Sequence, residues 1–396
     1  MDWGMQGDRR PFRLALTVCV VLLSTAAQAQ IRPEPAALAD ASADLLDRLR
    51  ADSFAYFRFV NRPWTARVCD VFADVPDAPI VRLHGDAHLE QFAFTRDAWG
   101  LDDFDDSARG PSFIDIVRFL GSIELATRRR GWMHDRDALW DRFFEGYRSG
   151  LSNPDHRPPE PGIVRELRGQ APTTRPAYLA WAEKQMQPMD ATQLKLVATA
   201  MEALDRVVRP GYPDISSTYF AVKRAGLLHI GVGSAVKRKA LIRVEGPTPY
   251  SDDDVLLEAK EVTNLDGIPC LEPSTAPPAL RVVDGTRQLG RLKHDILAVG
   301  PTMLIPAAVD RAERWLDWWV SSWEPSYHEV HLDDLRSIKD LADIAFDSGF
   351  QLGAGELASV RRQALSSNMR LERRLRKETA ILIEELLAGW RELAGR

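Results

Sequence analysis

Residues 84–106 read HGDAHLEQFAFTRDAWGLDDFDD and bring His84, Asp86, His88, Glu90, Asp102, Asp103, Asp105 and Asp106 into one short stretch. Ile80, Val81 and Leu83 precede it, Phe92 and Phe94 divide it, and Trp99 and Leu101 lead into its second acidic group. Apolar residues alternating with turn formers predict short strands around a tight loop. Two acidic groups delivered by neighbouring strands are suited to holding a divalent cation beside a reacting oxygen. Asp86 is followed five residues later by the amide Gln91, and then by Asp103-Phe104-Asp105. The segment also offers metal ligands in another sense, through His84, Asp86, His88, Asp103 and Asp105. In that arrangement His84, Asp86 and His88 share one face only if the chain stays extended.

His84-Gly85-Asp86 resembles the His-Gly-Asp of aminoglycoside and choline phosphotransferases, which are small-molecule relatives of protein kinases. Asp103-Phe104-Asp105-Asp106 resembles their metal-binding segment. Gly110-Pro111-Ser112-Phe113-Ile114-Asp115 resembles the downstream stretch whose last Asp braces the catalytic loop from the next helix. The wider pattern is similar to the bacterial domain of unknown function 2252 family. It is carried by Asp52 to Arg58, Gly85 to Phe92, Asp103 to Asp105, Gly231-Val232-Gly233-Ser234 and Ala259-Lys260-Glu261, across about residues 45–360. No established activity travels with that family name.

The resemblance implies an α+β, protein-kinase-like fold of two lobes. A kinase runs from glycine loop to Lys strand to Glu helix and then to the catalytic loop. Here the catalytic-like segment comes first, which implies a circular permutation. Asp86 would orient an acceptor hydroxyl, with His84 beside it in the catalytic loop and its ring set to brace backbone. Asp103, Gln91 and Asp105 would hold Mg²⁺ or Mn²⁺. Gly231, Gly233 and Ser234 would let backbone N–H groups approach the phosphates of ATP or another nucleotide. Lys260 would neutralise those phosphates, with Asp284 as its acidic partner. Arg238, flanked by Lys237 and Lys239, would add positive charge. Asp115 and His88 would support the loop. Three departures stand out: Gln91 replaces the usual Asn, Val236 a Gly, and Asp284 a longer Glu.

The 396 residues are 45% hydrophobic, enough for a large core in one big domain or two lobes. A net charge of −6 offers no electrostatic case for nucleic acid. Arg9, Arg10 and Arg13, an apolar run from Leu14 to Leu23 and Ala27-Gln28-Ala29 have the order of a cleavable signal peptide over residues 1–29. Arg9-Arg10-Pro11-Phe12 weakly resembles a twin-arginine signal. The expected address is periplasmic or secreted, with no stable membrane span after cleavage. Cys69 and Cys270 then remain, either as a disulfide or as two buried thiols.

Helical periodicity covers 36–60, 113–150, 190–207, 281–298, 335–353 and 356–393. A Trp-rich helix is expected over 310–323, with Trp315, Trp318, Trp319 and Trp323 as a packing stripe. Strands are expected at Tyr219–Val222, Leu227–Val232, Ala240–Val244 and Val255–Lys260. The domain reading is a mainly helical catalytic-loop lobe over 30–212, a β-rich nucleotide-binding-like lobe over 213–330, and C-terminal helices over 331–396 that return to the helical lobe. The expected function is metal- and nucleotide-dependent phosphoryl transfer, or nucleotidyl transfer with the same parts, to an unidentified hydroxyl acceptor. The alternatives are a non-catalytic kinase-like binding protein of the envelope and a metal-dependent hydrolase built on the His/Asp cluster.

Overall fold

The computed structural model describes residue 1 and residues 29–75, 78–170, 174–211, 216–228, 238–300, 302–305, 314–323, 327–356 and 369–396. The proposed signal segment falls almost wholly outside the described residues. What is described is mixed helix and sheet, an α+β architecture. Among the described residues no helix is long and apolar enough to cross a membrane.

The first region is a run of short helices: α1 (Pro35–Asp40), α2 (Ala43–Ala51), α3 (Ser53–Phe59) and α4 (Asn61–Val71). The predicted single helix over 36–60 is broken because two residues cap new starts. Ser42 accepts from Leu45 N–H and Asp52 accepts from Phe54 N–H, and such side chains compete with helix continuation. Next come β1 (Ile80–Leu83), β2 (Phe92–Phe94), β3 (Trp99–Leu101) and β4 (Ala108–Pro111). β1 pairs antiparallel with β4, and β2 with β3. The helix predicted over 113–150 is two helices, α5 (Phe113–Arg130) and α6 (Arg136–Ser152). Gly131 separates them at φ 73°, in the left-handed conformation that ends helices. α7 (Gly162–Arg168) follows.

α8 (Arg175–Glu183) and α9 (Ala191–Val208) belong by packing to the sheet that comes after them. Asp190 and Gln193 start α9 with a reciprocal capping box. β5 (Val222–Leu227), β6 (Lys239–Val244) and β7 (Val255–Glu261) are followed by α10 (Pro278–Leu289) and β8 (Leu297–Val299). β9 (Met303–Ile305) and β10 (Arg314–Leu316) pair with each other, and β11 (Trp318–Ser322) completes the antiparallel sheet. Its order among the described strands is β5-β6-β7-β11-β8. Met201 and Leu204 of α9 pack on Ile242, Leu257 and Val320, and Tyr178 and Leu179 of α8 pack on Leu241 and Leu256. α8 and α9 thus pack against the sheet that follows them.

The expected Trp-rich helix is instead strand. Trp315 is 67% exposed and Trp319 is 3% exposed, and Trp319 pairs with Lys260 of β7. Neighbouring bulky aromatic residues favour pleated sheet when one face has a core to meet. α10 likewise stops at Leu289, short of the predicted end, because Leu297–Val299 is drawn into the sheet edge.

β12 (His328–Glu329) pairs with β2 and carries the chain back to the first region. α11 (Ile338–Glu356) and α12 (Met369–Leu393) then pack there, α12 on α5 and α11 on α6. α6 and α11 approach through glycines on both sides. A Cβ on Gly146 would lie 1.9 Å from the Phe346 carbonyl oxygen, and one on Gly353 would lie 2.2 Å from that of Tyr147. Gly150 and Gly349 have the same constraint. Bare backbone is what lets these helices touch. A disulfide between Cys69 and Cys270 ties α4 to the segment after β7. One apolar core runs from Phe57 and Trp64 through Phe119 and Phe143 to Ile344 and Leu382. It forms a rigid base for the β1–β4 segment.

Candidate functional site

β1 delivers His84-Gly85-Asp86 to the top of α5. Asp115, in the first turn of α5, accepts from the backbone N–H groups of His84 (2.6 Å) and Gly85 (2.8 Å). Burial pushes the Asp115 carboxyl up, against the pull of His84 and the two amides. Gly85 sits at φ 87°, and a Cβ there would be 1.9 Å from the Asp106 carbonyl oxygen. Only glycine lets the loop lie this close to the second acidic group. The His84 ring is fully buried. Its Nδ1 accepts from Asp86 N–H at 3.3 Å, so Nε2 carries the proton given to the Asp102 carbonyl at 2.9 Å. It packs 4.7 Å from the Phe104 ring. His84 thus links the two acidic segments through backbone.

Asp86 is 7% exposed. Its Oδ1 accepts from Arg118 at 2.8 Å, and its Oδ2 is 3.6 Å from His88 Nε2. Burial pushes this carboxyl up, but Arg118 and His88 outweigh it and hold the pKa at about 2. Arg118 is itself buried, donates to the Phe57 carbonyl at 2.9 Å and lies over the Phe57 ring. Burial pulls the His88 imidazole below its usual value despite the nearby carboxylate.

Asp103 adopts the left-handed conformation, φ 60° and ψ 66°, unusual for a residue other than glycine. Held backbone of this kind gathers at functional sites. Lys260, on the central strand β7, reaches it: Nζ is 3.0 Å from Asp103 Oδ1 although 157 residues separate them. Burial pulls the Lys260 ammonium down, but Asp103, Asp105, Glu258 and Asp102 hold it well above its ordinary value. Glu258, two residues back on the same face, is 3.6 Å from Lys260 and 3.8 Å from Lys239, and accepts from Trp323 Nε1 at 2.8 Å. Asp102 faces His294 at 3.8 Å. Burial raises its carboxyl, but His294 and Lys260 bring it below the usual range.

Two cavities meet at Asp103. One, of about 410 Å³, lies between the sheet and the β1–β4 segment and is lined by Lys239, Glu258, Lys260, Asp102, Asp103 and Trp319. The other, about 210 Å³, is lined by Asp86, Gln91, Asp103, Asp105 and Asn61. Asp86, Gln91, Asp103, Asp105 and Lys260 therefore converge on one locus, with His84, His88 and Asp115 behind it.

Other expected residues fall elsewhere. Asp284 does not partner Lys260: it is half-exposed on α10 and faces Arg82 at 3.8 Å. Arg238 is out of step with Lys239 by one residue, so strand alternation turns it to the other face, where it pairs with Glu261 at 3.6 Å. Gly231, Gly233 and Ser234 lie outside the described residues. Glu258 and Arg118 are functional candidates that sequence reasoning missed, whereas Lys239, expected only as part of a basic run with Lys237 and Arg238, is placed opposite Lys260. Alternation along β7 was the available signal for Glu258, two residues before Lys260. Nothing local marks Arg118, which looks like one more helix charge.

Oxygen donors around Asp103 suit a hard cation. Among the described residues, however, no three His, Cys, Asp or Glu groups are close enough together to cage a metal. The segment from His84 to His88 is not a strand, so the alternation that would set its two imidazoles on one face does not operate there.

The fold and site define an α+β protein in which a braced acidic loop meets a strand-borne lysine. Residues 45–170, which hold the whole acidic loop and its brace, match the model of a family described as an uncharacterized protein conserved in bacteria (DUF2252). No curated protein matches the chain, and no solved structure does.

Proposed function

We propose that this chain is an exported, kinase-like phosphotransferase that uses a nucleotide and Mg²⁺ or Mn²⁺ to phosphorylate a hydroxyl acceptor. The observation that carries this is the 3.0 Å pairing of Lys260 with Asp103, between a cavity that also holds Lys239 and one that also holds Asp86. Kinases place their phosphate-binding lysine on the third strand of a small sheet, with a helix after it. Lys260 lies on β7, third of β5-β6-β7, with α10 following. The Asp115 brace and the His84 link support a two-lobed, permuted kinase-like reading.

In this reading Lys260 holds nucleotide phosphates, and Asp103 with Asp105 or the Gln91 amide oxygen offers one or two ligands to the cation. Phosphate oxygens and water would complete its shell, as is usual for Mg²⁺. Asp86 is too acidic to be an efficient base. Its role is to orient the acceptor hydroxyl, which suits the loose transition state of phosphoryl transfer. The Cys69–Cys270 disulfide supports an oxidising address.

One observation favours a second reading, a non-catalytic nucleotide-binding protein: Asp86 is engaged by Arg118 on one oxygen and faces His88 on the other. Calorimetry with Mg²⁺ or Mn²⁺ and several nucleotides, followed by turnover assays, separates them. Binding with turnover supports the transferase, binding without turnover supports the second reading, and no nucleotide binding ends both.

A further inference from the structure

Lys239 and Lys260 are direct cross-strand partners on β6 and β7. Both are buried, 7% and 6% exposed, and both line the larger cavity. Like charges directly opposite on a sheet destabilise it, and each buried ammonium is costly unless paired. Glu258 stands near both, but at 3.6 and 3.8 Å, beyond direct hydrogen bonds, and one of its oxygens already accepts from Trp323. Asp103 pairs with Lys260, at 3.0 Å. Lys239 is therefore the less compensated of the two, and the face they share opens into a cavity.

We propose that Lys239 is a second phosphate-binding lysine, and that the two lysines together select a ligand carrying at least two linked phosphates over a monophosphate. The inference rests on the phosphotransferase reading and adds the residue that sets the donor's phosphate count. Cross-strand partners have Cβ atoms roughly 5 Å apart, so two flexible ammoniums can grip adjacent phosphoryl groups of one chain. Lys260 takes the group nearest Asp103 and its cation. Lys239, at the start of β6, takes the next. A monophosphate reaches one lysine and leaves the other facing Glu258.

The test uses the purified full-length mature protein, its Lys239→Gln variant and its Lys239→Arg variant, with Mg²⁺ and four probes: adenosine, AMP, ADP and inorganic pyrophosphate. Calorimetry should show Lys239→Gln weakening ADP and pyrophosphate by roughly 10- to 100-fold, the effect of losing one charge-assisted hydrogen bond. AMP should change by less than about threefold, and Lys239→Arg should restore most of the loss. A matching thermal melt for the three proteins excludes misfolding as the cause. Equal losses for AMP and ADP, or no loss for either, would overturn the assignment while leaving the phosphotransferase reading intact. A parent that binds pyrophosphate through Lys239 but no nucleotide would keep the diphosphate site and remove the nucleotide. A parent that binds none of the probes would end both.

Discussion

Replacing Arg118 with Met tests the electrostatics beneath the acidic loop. The methionine fills similar space but strands the Asp86 carboxylate in a site where it is 7% exposed. Breaking a buried pair by removing one partner costs about 3–5 kcal/mol. Against the opposing push of burial, Arg118, together with His88, also holds the Asp86 carboxyl at about 2, so losing Arg118 removes the main counterweight. The sign follows from the direction. A carboxyl depressed in the folded state stabilises the fold above its unfolded value of 3.8 and loses that contribution as pH falls toward 2. Without Arg118, burial dominates at Asp86 and the folded pKa rises, so protonation becomes favourable to the fold. Urea unfolding at pH 7 and at steps down to pH 3 should then show Arg118→Met far below the parent at pH 7, with the gap closing as pH falls. Asp86→Asn in the Arg118→Met background should recover about 2–3 kcal/mol at pH 7 by removing the stranded charge. Additive losses in the double variant, or parallel pH profiles for parent and Arg118→Met, would refute this reasoning.

Three further outcomes are expected. Reducing the Cys69–Cys270 bond, which closes 201 residues of sequence separation, should cost about 2–5 kcal/mol and lower the melting temperature; an unchanged melt under reductant would count against a structural role. Gly150→Ala puts a Cβ 2.2 Å from the Phe350 carbonyl oxygen and should cost at least about 1–3 kcal/mol by overpacking the α6–α11 contact. Gly162→Ala, with nothing within 4 Å, should stay within about 1 kcal/mol of the parent, and comparable denaturation midpoints for the two variants would contradict the packing argument. Export should yield a chain beginning after Ala29, read by N-terminal sequencing of the envelope fraction; a cytosolic chain still starting at Met1 would contradict the signal reading.

Much of the acidic loop is legible in the sequence because its chemistry is local. His84 to Asp106 is one segment, and the Asp115 brace follows within the next helix's first turn, so motif spacing locates both. Long uniform helices such as α9 are legible from periodicity. The Trp-rich run misleads because four tryptophans within nine residues fit a helical stripe by spacing. What decides strand is the neighbouring β7, distant in sequence. Asp284 misleads for a related reason: order along the chain suggests a partner for Lys260, but the rotation of α10 turns Asp284 to solvent and Arg82. Lys239 requires the pairing register of β6 with β7, which exists only in three dimensions. The α6–α11 glycines have a readable signal, Gly-x-x-x-Gly in both helices, but its meaning depends on the two helices being neighbours.

The most direct test of the central claim compares Asp103→Asn with Asp86→Asn for metal-dependent nucleotide binding and for phosphoryl transfer. Asp103→Asn removes a carboxylate charge from the proposed cation site and from Lys260 while nearly keeping shape, so the proposed Mg²⁺-dependent nucleotide binding should be lost with the fold intact. Asp86→Asn should bind Mg²⁺ and nucleotide like the parent but transfer phosphate far more slowly, because the role proposed for Asp86 is to orient the acceptor. If both variants bind like the parent and none of the three proteins transfers phosphate, the catalytic account fails.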